Sequence, residues 1–424
     1  MKKACKYLKQ ETIDDLKRAF LKSSEREKSG YDFPLVRPPF NIDEILEALD
    51  SLISTRVTMG EKVKEFEKRF ADYVGTKHAI MFNSGSSANL IALEILANPV
   101  VERGIEKGGS VIVPALTWST SVFPIVDIGA KPVFADSLLK TLNLDPSSVE
   151  KCIDKETDAI LAVHLIGNPC DMKALNDLAE ENNLLLVEDC CEAHGAEFDN
   201  KRVGSLSEMG TYSFFFSHHI STIEGGMITT DNDEFAELAR ILRAHGWTRD
   251  MKNRDSLEKR YPDRDPRFLF VNRGYNLRPT EIQGAFGIHQ IAKLDSYVRL
   301  RRRNASILAD ILEDSNADIT LQKEQTSGKH SWFGFPFVLN KGGWDLRKRV
   351  ITRLEKRGIE TRVVMGGNMA AQPATEMYDS RSPVPLNIAE KVDRSGVLVG
   401  IHPQMSEKEC KELGNRIIAA LAKC

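Results

Sequence analysis

The 424-residue sequence lacks a long hydrophobic run and an excess of either charge sign. Lysine and arginine number 58 against 61 aspartate and glutamate residues, which gives a net charge of -3. No basic cluster is interleaved with aromatic residues, so nothing indicates a nucleic-acid partner. The apolar stretches, such as 110–116 and 184–187, are too short to cross a membrane, and no apolar segment follows the N-terminal lysines. We therefore expect a cytoplasmic protein with no membrane or nucleic-acid partner.

Cysteine is sparse, and its spacing provides none of the common metal or redox motifs. The seven cysteines are an odd number, and no pair has C-x-x-C or C-x-C spacing. None lies between Cys191 and Cys410. Without a secretion signal, this pattern indicates reduced thiols rather than a disulfide framework. We predict no metal site.

Short apolar runs alternate with segments of helical periodicity in the first two thirds of the chain. Several runs show no polar alternation, which is typical of strands buried on both faces of a mostly parallel sheet. We predict seven strands, at His78–Phe82, Ser110–Val113, Pro132–Ala135, Ala159–Val163, Leu184–Glu188, Gly210–Phe216 and Gly226–Thr230. The fold class is therefore α/β, with helices packed between the strands. Ligands of such sheets bind at the carboxyl ends of the strands.

The chain divides into three predicted parts. Residues 1–38 form an N-terminal extension with one helix, 39–300 a large domain, and 301–424 a smaller C-terminal α/β domain. A long helix from Thr280 to about Leu312 is predicted to contain the boundary between the two domains. Within the small domain we predict strands at 331–339 and 359–364 and helices from Trp344 and Lys408. The charged segment 247–272 is predicted to be a long loop.

Polar residues follow several predicted strands in a definite order. Asp189 ends the apolar run Leu-Leu-Leu-Val-Glu, and Ser213 precedes His218 by five residues, ahead of Glu224-Gly-Gly. The only lysine between Asp189 and Arg249 is Lys201, which lies too close to the aspartate to reach the same site.

This order resembles the cofactor site of the DegT/DnrJ/EryC1/StrS family of sugar aminotransferases, and the likeness runs from about Asn41 to the C-terminus. The resemblance implies a fold-type I aminotransferase that binds pyridoxal 5'-phosphate or pyridoxamine 5'-phosphate. In the family a lysine five residues after the serine binds the cofactor covalently, and here His218 stands in its place. The few members with this histidine are 3-dehydratases of nucleotide-linked 4-keto-6-deoxy sugars.

The resemblance assigns a role to each matching residue. His218 would be the catalytic base, Asp189 would pair with the pyridinium nitrogen, and Trp118 would stack on the ring. The remaining implied contacts are Gly85, Ser86 and Ser213 to the cofactor phosphate, Glu192 to the ring hydroxyl, Asn276 to the phosphate of the neighbouring subunit, and His219 and Arg362 to the substrate. Glu192 departs from the glutamine usual in the family, and a carboxyl group there would need a proton or another donor.

Each of these residues also has a plainer interpretation. The segment containing Gly85 and Ser86, as well as Asp189 and Asn276, could only cap helices. Trp118 could be a core residue, Arg362 a surface residue, and the histidine pair a metal ligand or a surface feature. Sequence alone leaves these alternatives open.

The implied function is removal of the C3 hydroxyl from a nucleotide-linked 4-keto-6-deoxyhexose, with glutamate supplying fresh amino groups. A homodimer with shared active sites is implied by the role of Asn276. One branch of the dehydratases carries an iron–sulfur cluster, but the absence of cysteine from 192–409 excludes that cluster here. Two alternatives are an aminotransferase that transfers nitrogen without elimination and a non-catalytic sensor or scaffold. The nucleotide and the hexose are not indicated.

Overall fold

The computed structural model describes residues 7–26, 30–251 and 254–422. In chain order, the strands are β1 His78–Phe82, β2 Ser110–Pro114, β3 Lys131–Ala135, β4 Thr157–Val163, β5 Leu185–Asp189, β6 Glu197–Phe198, β7 Lys201–Arg202, β8 Met209–Ser213, β9 Gly226–Thr230, β10 Ile319–Leu321, β11 Gly328–Lys329, β12 Phe335–Leu339, β13 Thr361–Arg362 and β14 Gly396–Val399. They form sheets of seven, four and three strands.

The seven predicted strands form the large sheet, in the order β1-β9-β8-β5-β4-β2-β3. Only β9 runs antiparallel to its neighbours, β1 and β8, so the sheet is mostly parallel, as predicted. Every residue of β1, β2, β5, β8 and β9 is buried. Burial on both faces explains why these runs lack polar alternation.

Helices cover the sheets and connect the strands. They are α1 Gln10–Arg26, α2 Ile42–Ile53, α3 Glu61–Val74, α4 Gly85–Leu96, α5 Ser119–Asp127, α6 Pro146–Cys152, α7 Met172–Glu181, α8 Asp233–Leu242, α9 Arg254–Arg260, α10 Glu281–Ile291, α11 Leu294–Glu313, α12 Trp344–Glu355, α13 Asn387–Ser395 and α14 Glu407–Leu421. No helix in the described part of the chain combines the length and the apolar content needed to span a membrane.

The prediction of one long helix from Thr280 to about Leu312 is wrong in one respect, because the structure has two helices there, α10 and α11. The chain turns at Ala292–Lys293, where the Lys293 N–H bonds the Gln290 carbonyl at 3.0 Å in the tighter three-residue spacing. The Gln290 side chain bonds the Pro39 carbonyl at 3.0 Å, and the Lys293 ammonium pairs with Glu44. Polar contacts with the N-terminal segment thus accompany the break.

The segment 247–272 also differs from the predicted loop. It contains α9 and two short 3-10 turns, Thr248–Asp250 and Pro266–Phe268. None of the residues of α9 or of the Pro266–Phe268 turn is buried. The prediction of a long loop was therefore wrong in that the segment contains helical turns, although α9 and the Pro266–Phe268 turn lie outside the core.

The smaller unit is a four-stranded antiparallel sheet, in the order β10-β12-β14-β13. The predicted strand 331–339 is shorter, because residues 331–334 pair with the large unit instead: the Ser331 and Phe333 N–H groups bond the carbonyls of Gly167 and Ile166, each at 2.8 Å. The predicted strand 359–364 is reduced to β13. Helices begin at Trp344 and Glu407, close to the predicted positions. Residues 331–334 thus connect the two sheets.

Candidate active site

A cavity of about 380 Å³ opens at the carboxyl ends of β5 and β8. The large unit contributes the start of α4, the residues after β5 and the loop between β8 and β9. The smaller unit and its connecting segment close the other side with Phe333, Arg362, Val363, Met365 and Leu398. The cavity is therefore where a ligand of a parallel α/β sheet is expected to bind.

The N-terminus of α4 forms one end of the cavity. Ser84 caps the helix, which begins at Gly85, by accepting a hydrogen bond from the Ser87 N–H at 3.1 Å. A Cβ atom on Gly85 would lie 2.4 Å from the Cβ of Ser213, so only glycine permits this close approach. Ser86 is exposed and lines the cavity with Ser213. The segment is therefore both a helix cap and part of the cavity wall, where helix N–H groups suit an anion.

Asp189 lies at the floor of the cavity and is only 4% exposed. One carboxylate oxygen accepts hydrogen bonds from the Asn89 amide and the Ser121 hydroxyl, both at 2.8 Å. The other accepts the Cys191 N–H at 3.1 Å. Three donors from three segments fix the orientation of this carboxylate, which is more than a helix cap requires.

Trp118 lines the cavity immediately before α5, and the residue is 51% exposed. A core tryptophan would be almost fully enclosed, so the structure excludes that alternative. An aromatic face at this position can stack on a planar ring.

Glu192 lines the cavity beside Asp189 and is buried. One of its oxygens accepts the Ile166 N–H at 2.9 Å. Burial raises the pKa of Glu192 to about 8, so the group carries a proton at neutral pH. This protonation answers the question that the sequence raised, because a neutral carboxyl group can donate a hydrogen bond into the cavity as an amide would.

The adjacent histidines have different environments. His218 is half-buried and lines the cavity, whereas His219 is completely buried and does not line it. The His219 Nε2–H donates to the Ser331 carbonyl at 3.0 Å. The predicted contact between His219 and a substrate is therefore not supported by the geometry, because this side chain is buried, bonds the Ser331 carbonyl and does not line the cavity.

Burial, together with the nearby Arg301 guanidinium, lowers the pKa of His218 to about 3. The imidazole is therefore uncharged at neutral pH and can accept a proton. Its Nδ1 atom is buried, which leaves Nε2 as the nitrogen available to the cavity.

The two remaining predicted residues have different positions. Arg362 is exposed on β13 and lines the cavity. Asn276 is exposed, does not line the cavity, and accepts a hydrogen bond from Arg278 Nε at 3.1 Å. A single chain thus brings together all the predicted residues except Asn276 and His219.

Sequence reasoning missed three residues of the site: Asn89, Ser121 and Phe333. Asn89 and Ser121 orient Asp189, and Phe333 packs its ring against His218 with ring centroids 5.2 Å apart. Asn89 lies on the second turn of α4, which begins at the predicted residue Gly85, and Ser121 lies on the first turn of α5, just after the predicted residue Trp118; this is the one signal available. Nothing in the sequence links Phe333 to His218.

One buried group in the described residues, His164, Glu188 and Cys190, has the proximity of a metal site. His164 Nδ1 accepts the Cys170 N–H at 2.9 Å, so Nε2 carries the proton that it shares with Glu188 at 3.0 Å. Both ring nitrogens are therefore engaged, and the group is a hydrogen-bonded part of the core.

Comparison with known proteins places this geometry among related structures. The family model described as the DegT/DnrJ/EryC1/StrS aminotransferase family matches residues 40–418. A GDP-4-keto-6-deoxy-D-mannose 3-dehydratase of Yersinia pseudotuberculosis is 39% identical over 391 residues, which cover 91% of this chain and 98% of that protein.

Two solved structures extend the similarity. The Escherichia coli GDP-4-keto-6-deoxy-D-mannose 3-dehydratase with bound hydrated pyridoxal phosphate superposes with a TM-score of 0.85 at 36% identity, over 91% of this chain and 99% of that one. A variant of GDP-4-keto-6-deoxymannose 3-dehydratase with bound GDP-perosamine superposes with a TM-score of 0.84 at 35% identity, over 91% of this chain and 100% of that one. The predicted family and fold are confirmed.

Proposed function

The chain belongs to the DegT/DnrJ/EryC1/StrS aminotransferase family, and on that premise we propose that it removes the C3 hydroxyl of a nucleotide-linked 4-keto-6-deoxyhexose. The observation that carries the proposal is His218, an uncharged imidazole in the cavity where family members that bind the cofactor covalently have lysine. The nucleotide is proposed to be GDP, because the relatives named above act on or bind GDP-linked sugars according to their names.

The residues present fit pyridoxamine or pyridoxal phosphate. The close approach of Gly85 and Ser213 forms a cradle at the N-terminus of α4 that suits a phosphate group. Asp189 presents a fixed carboxylate for a protonated ring nitrogen, and Trp118 offers a face for the ring. Glu192, as a neutral acid, can donate to the ring hydroxyl.

When bound, the amine form of the cofactor supplies a nucleophile for the C4 ketone and a ring that withdraws electrons. His218 Nε2 accepts the proton that must leave the carbon bearing the amine, and the same nitrogen can return a proton to the departing hydroxyl. Trp118 and Phe333 supply aromatic walls to the cavity in which this proton transfer takes place. Arg362, exposed at the rim, can pair with a phosphate of the nucleotide.

The proposed products are a 4-keto-3,6-dideoxy sugar and ammonia, with glutamate regenerating the amine form of the cofactor. None of the described residues that line the cavity is a lysine. This observation disfavours ordinary aminotransfer through a covalently bound cofactor. We also propose that Asn276 acts in the active site of a second subunit, which its exposed position permits.

The test is the reaction itself. Protein loaded with pyridoxamine phosphate is mixed with GDP-4-keto-6-deoxymannose and glutamate, and ammonia and the deoxygenated sugar are measured. We expect both products in equal amounts, and we expect His218→Asn to reduce the rate at least about a hundredfold because the general base is lost.

The matched control is His289→Asn, at a half-buried histidine that does not line the cavity and pairs with Glu47 on the surface. We expect this variant to keep the wild-type rate. Formation of an amino sugar without ammonia would contradict the proposal and favour the aminotransferase alternative. Failure to bind pyridoxamine phosphate would favour the non-catalytic one.

A further inference from the structure

Three histidines from two loops meet behind the cavity wall. His194 follows β5, and His218 and His219 lie between β8 and β9. The His194 ring lies 5.9 Å from the His218 ring and 5.5 Å from the His219 ring, measured between centroids. His194 and His219 are completely buried; Tyr212 and Phe214 pack against His194, and Phe333 packs against His219.

An imidazole in such surroundings must be uncharged or have an anionic partner, because burial of an unpaired charge is costly. The carbonyl of Ser331 can only accept, so His219 carries its proton on Nε2 and is not an imidazolium paired with a carboxylate. The buried Nδ1 atoms of His218 and His219 have no hydrogen-bond partner among the described residues. The surroundings of the cluster thus offer little to stabilise a positive charge.

The charge in this region is on Arg301 of α11, which is also buried. Its Nη1 donates to the carbonyls of Trp332 at 3.1 Å, Phe333 at 2.9 Å and Ile401 at 2.6 Å. In the described part of the chain, no carboxylate forms an ion pair with this guanidinium. Although burial lowers the pKa of Arg301 to about 10, the group remains protonated at neutral pH.

Arg301 therefore acts on His218 in two ways. Through its bonds to the carbonyls of Trp332 and Phe333 it fixes the segment whose Phe333 ring packs against His218 at 5.2 Å. Its positive charge also opposes a second positive charge on the imidazole. In agreement with this, burial lowers the pKa of both His218 and His219 most, and the Arg301 charge lowers it further.

Other ionisable groups line the same cavity as His218 or pack against its ring. Their effects on the charge of the His218 imidazole must be separated from the effect of Arg301. These groups are His194, Cys191, Asp189 and Glu192 after β5, Glu224 before β9, and Arg362 on β13. The carboxylates of Asp189 and Glu224 would favour a charged imidazole, whereas Glu192 is neutral, so Arg301 and burial act against Asp189 and Glu224.

We propose that Arg301 is a positioning residue for His218. It holds Phe333 against the His218 imidazole and keeps the imidazole uncharged, so that His218 can accept a proton from the substrate complex. The catalytic consequence rests on the proposed function. The charge state of His218 does not rest on that function, because it can be measured in the protein without substrate.

The experiment follows the histidine ring carbons by NMR during a pH titration, with protein labelled at histidine and His218→Asn used to assign the His218 signal. The titration covers pH 3 to 9, and in the wild type we expect the His218 midpoint at the acidic end of that range, near pH 3. Arg301→Gln keeps an amide donor for the carbonyls but removes the charge, and we expect the His218 midpoint to rise by at least about one pH unit. Arg301→Lys keeps the charge, and we expect a smaller rise.

A wild-type midpoint near the usual value for histidine would overturn the proposal without any variant, which keeps it testable if Arg301→Gln does not fold. Equal shifts in the two variants, or no shift in either, would also overturn it. Phe333→Leu provides a second test, since it loosens the packing without changing the charge, and we expect a smaller rise than in Arg301→Gln.

Activity separates this proposal from the proposed function. If the function holds, Arg301→Gln should lose kcat as the pH falls below its new His218 midpoint, while the wild type keeps it. A protein that shows the NMR shifts but no dehydration would retain the positioning role of Arg301 and refute the function alone.

Discussion

The floor of the cavity, formed by Asp189, and its histidine wall, formed by His218, differ in how fully their polar atoms are hydrogen-bonded. At the floor, the Asp189 carboxylate accepts three hydrogen bonds, from Asn89, Ser121 and Cys191. In the wall, the buried Nδ1 atom of His218 has no hydrogen-bond partner among the described residues. A group that must hold a fixed charge benefits from being fully hydrogen-bonded, whereas a group that must gain and lose a proton benefits from weaker constraints. This difference fits the proposed roles, in which Asp189 binds the cofactor ring and His218 transfers a proton.

The largest effect is expected at the floor, from Asp189→Asn. Removing the carboxylate would break the proposed buried charge pair with a protonated cofactor ring, so we expect a cost of about 3–5 kcal/mol and cofactor binding weakened at least about a hundredfold. Equilibrium dialysis with pyridoxamine phosphate measures the change. The matched control is Asp199→Asn, at an exposed residue with a φ of 47° that asparagine accepts readily. Unchanged cofactor affinity in Asp189→Asn would remove the distinction between floor and wall.

A smaller effect is expected from His219→Leu, which tests whether this histidine belongs to the core or to the cavity. The change leaves the buried Ser331 carbonyl without its donor, so we expect the free energy of unfolding to fall by about 1–3 kcal/mol. Chemical denaturation measures that loss. The KM for the nucleotide sugar should stay constant, and a large rise in KM would instead support the substrate contact predicted from the sequence.

Glu192→Gln tests the proton on the neutral carboxyl group beside Asp189. With a pKa of about 8, Glu192 loses its proton above pH 8, and the active neutral form falls to roughly a tenth at pH 9. We expect wild-type activity to fall by about tenfold between pH 7 and pH 9, and the amide variant to show no such fall.

The same substitution has a consequence for stability. Because burial raises the pKa of Glu192 above its unfolded value, the unfolded chain loses this proton first as the pH rises. Stability therefore declines between about pH 4.5 and 8 in the wild type, and Glu192→Gln should remove that part of the decline. Identical pH profiles for the two proteins would show that Glu192 is already ionised at neutral pH.

The smallest effect is expected from Ser121→Ala, which removes one of the three donors to Asp189. A single hydrogen bond to a charged group contributes about 1.5–3 kcal/mol at most, and the remaining Asn89 and Cys191 donors still orient the carboxylate. We expect cofactor affinity to fall about fivefold. A loss as large as that of Asp189→Asn would mean that the hydroxyl, not the carboxylate charge, dominates the floor.

The sequence predicted the large sheet well because its strands are buried on both faces. All seven predicted strands occur, and the residues just after three of them, Gly85, Asp189 and His218, line one cavity. Their convergence follows from the parallel arrangement, which brings the carboxyl ends of strands to one edge. Asn276 stays a prediction, because its proposed partner site is on a second chain.

Failures occurred where long-range contacts override local periodicity. The apolar segment 331–334 reads as strand, yet its N–H groups bond the large unit at Gly167 and Ile166. His219 follows His218 directly, and only the packing of the loop against Ser331 decides that one ring enters the cavity and the other the core. These contacts join residues more than one hundred positions apart, so no local pattern contains them.

By itself, the sequence determined the fold class, the family resemblance and the replacement of the expected lysine by His218, because each depends on residue types and spacing along the chain. Only the tertiary structure decided the protonation of Glu192, the separation of His218 from His219, and the bonds by which Arg301 holds the segment that packs against His218. The physical reason is that pKa values and hydrogen bonds depend on burial and on distances through space, which arise when distant segments pack together.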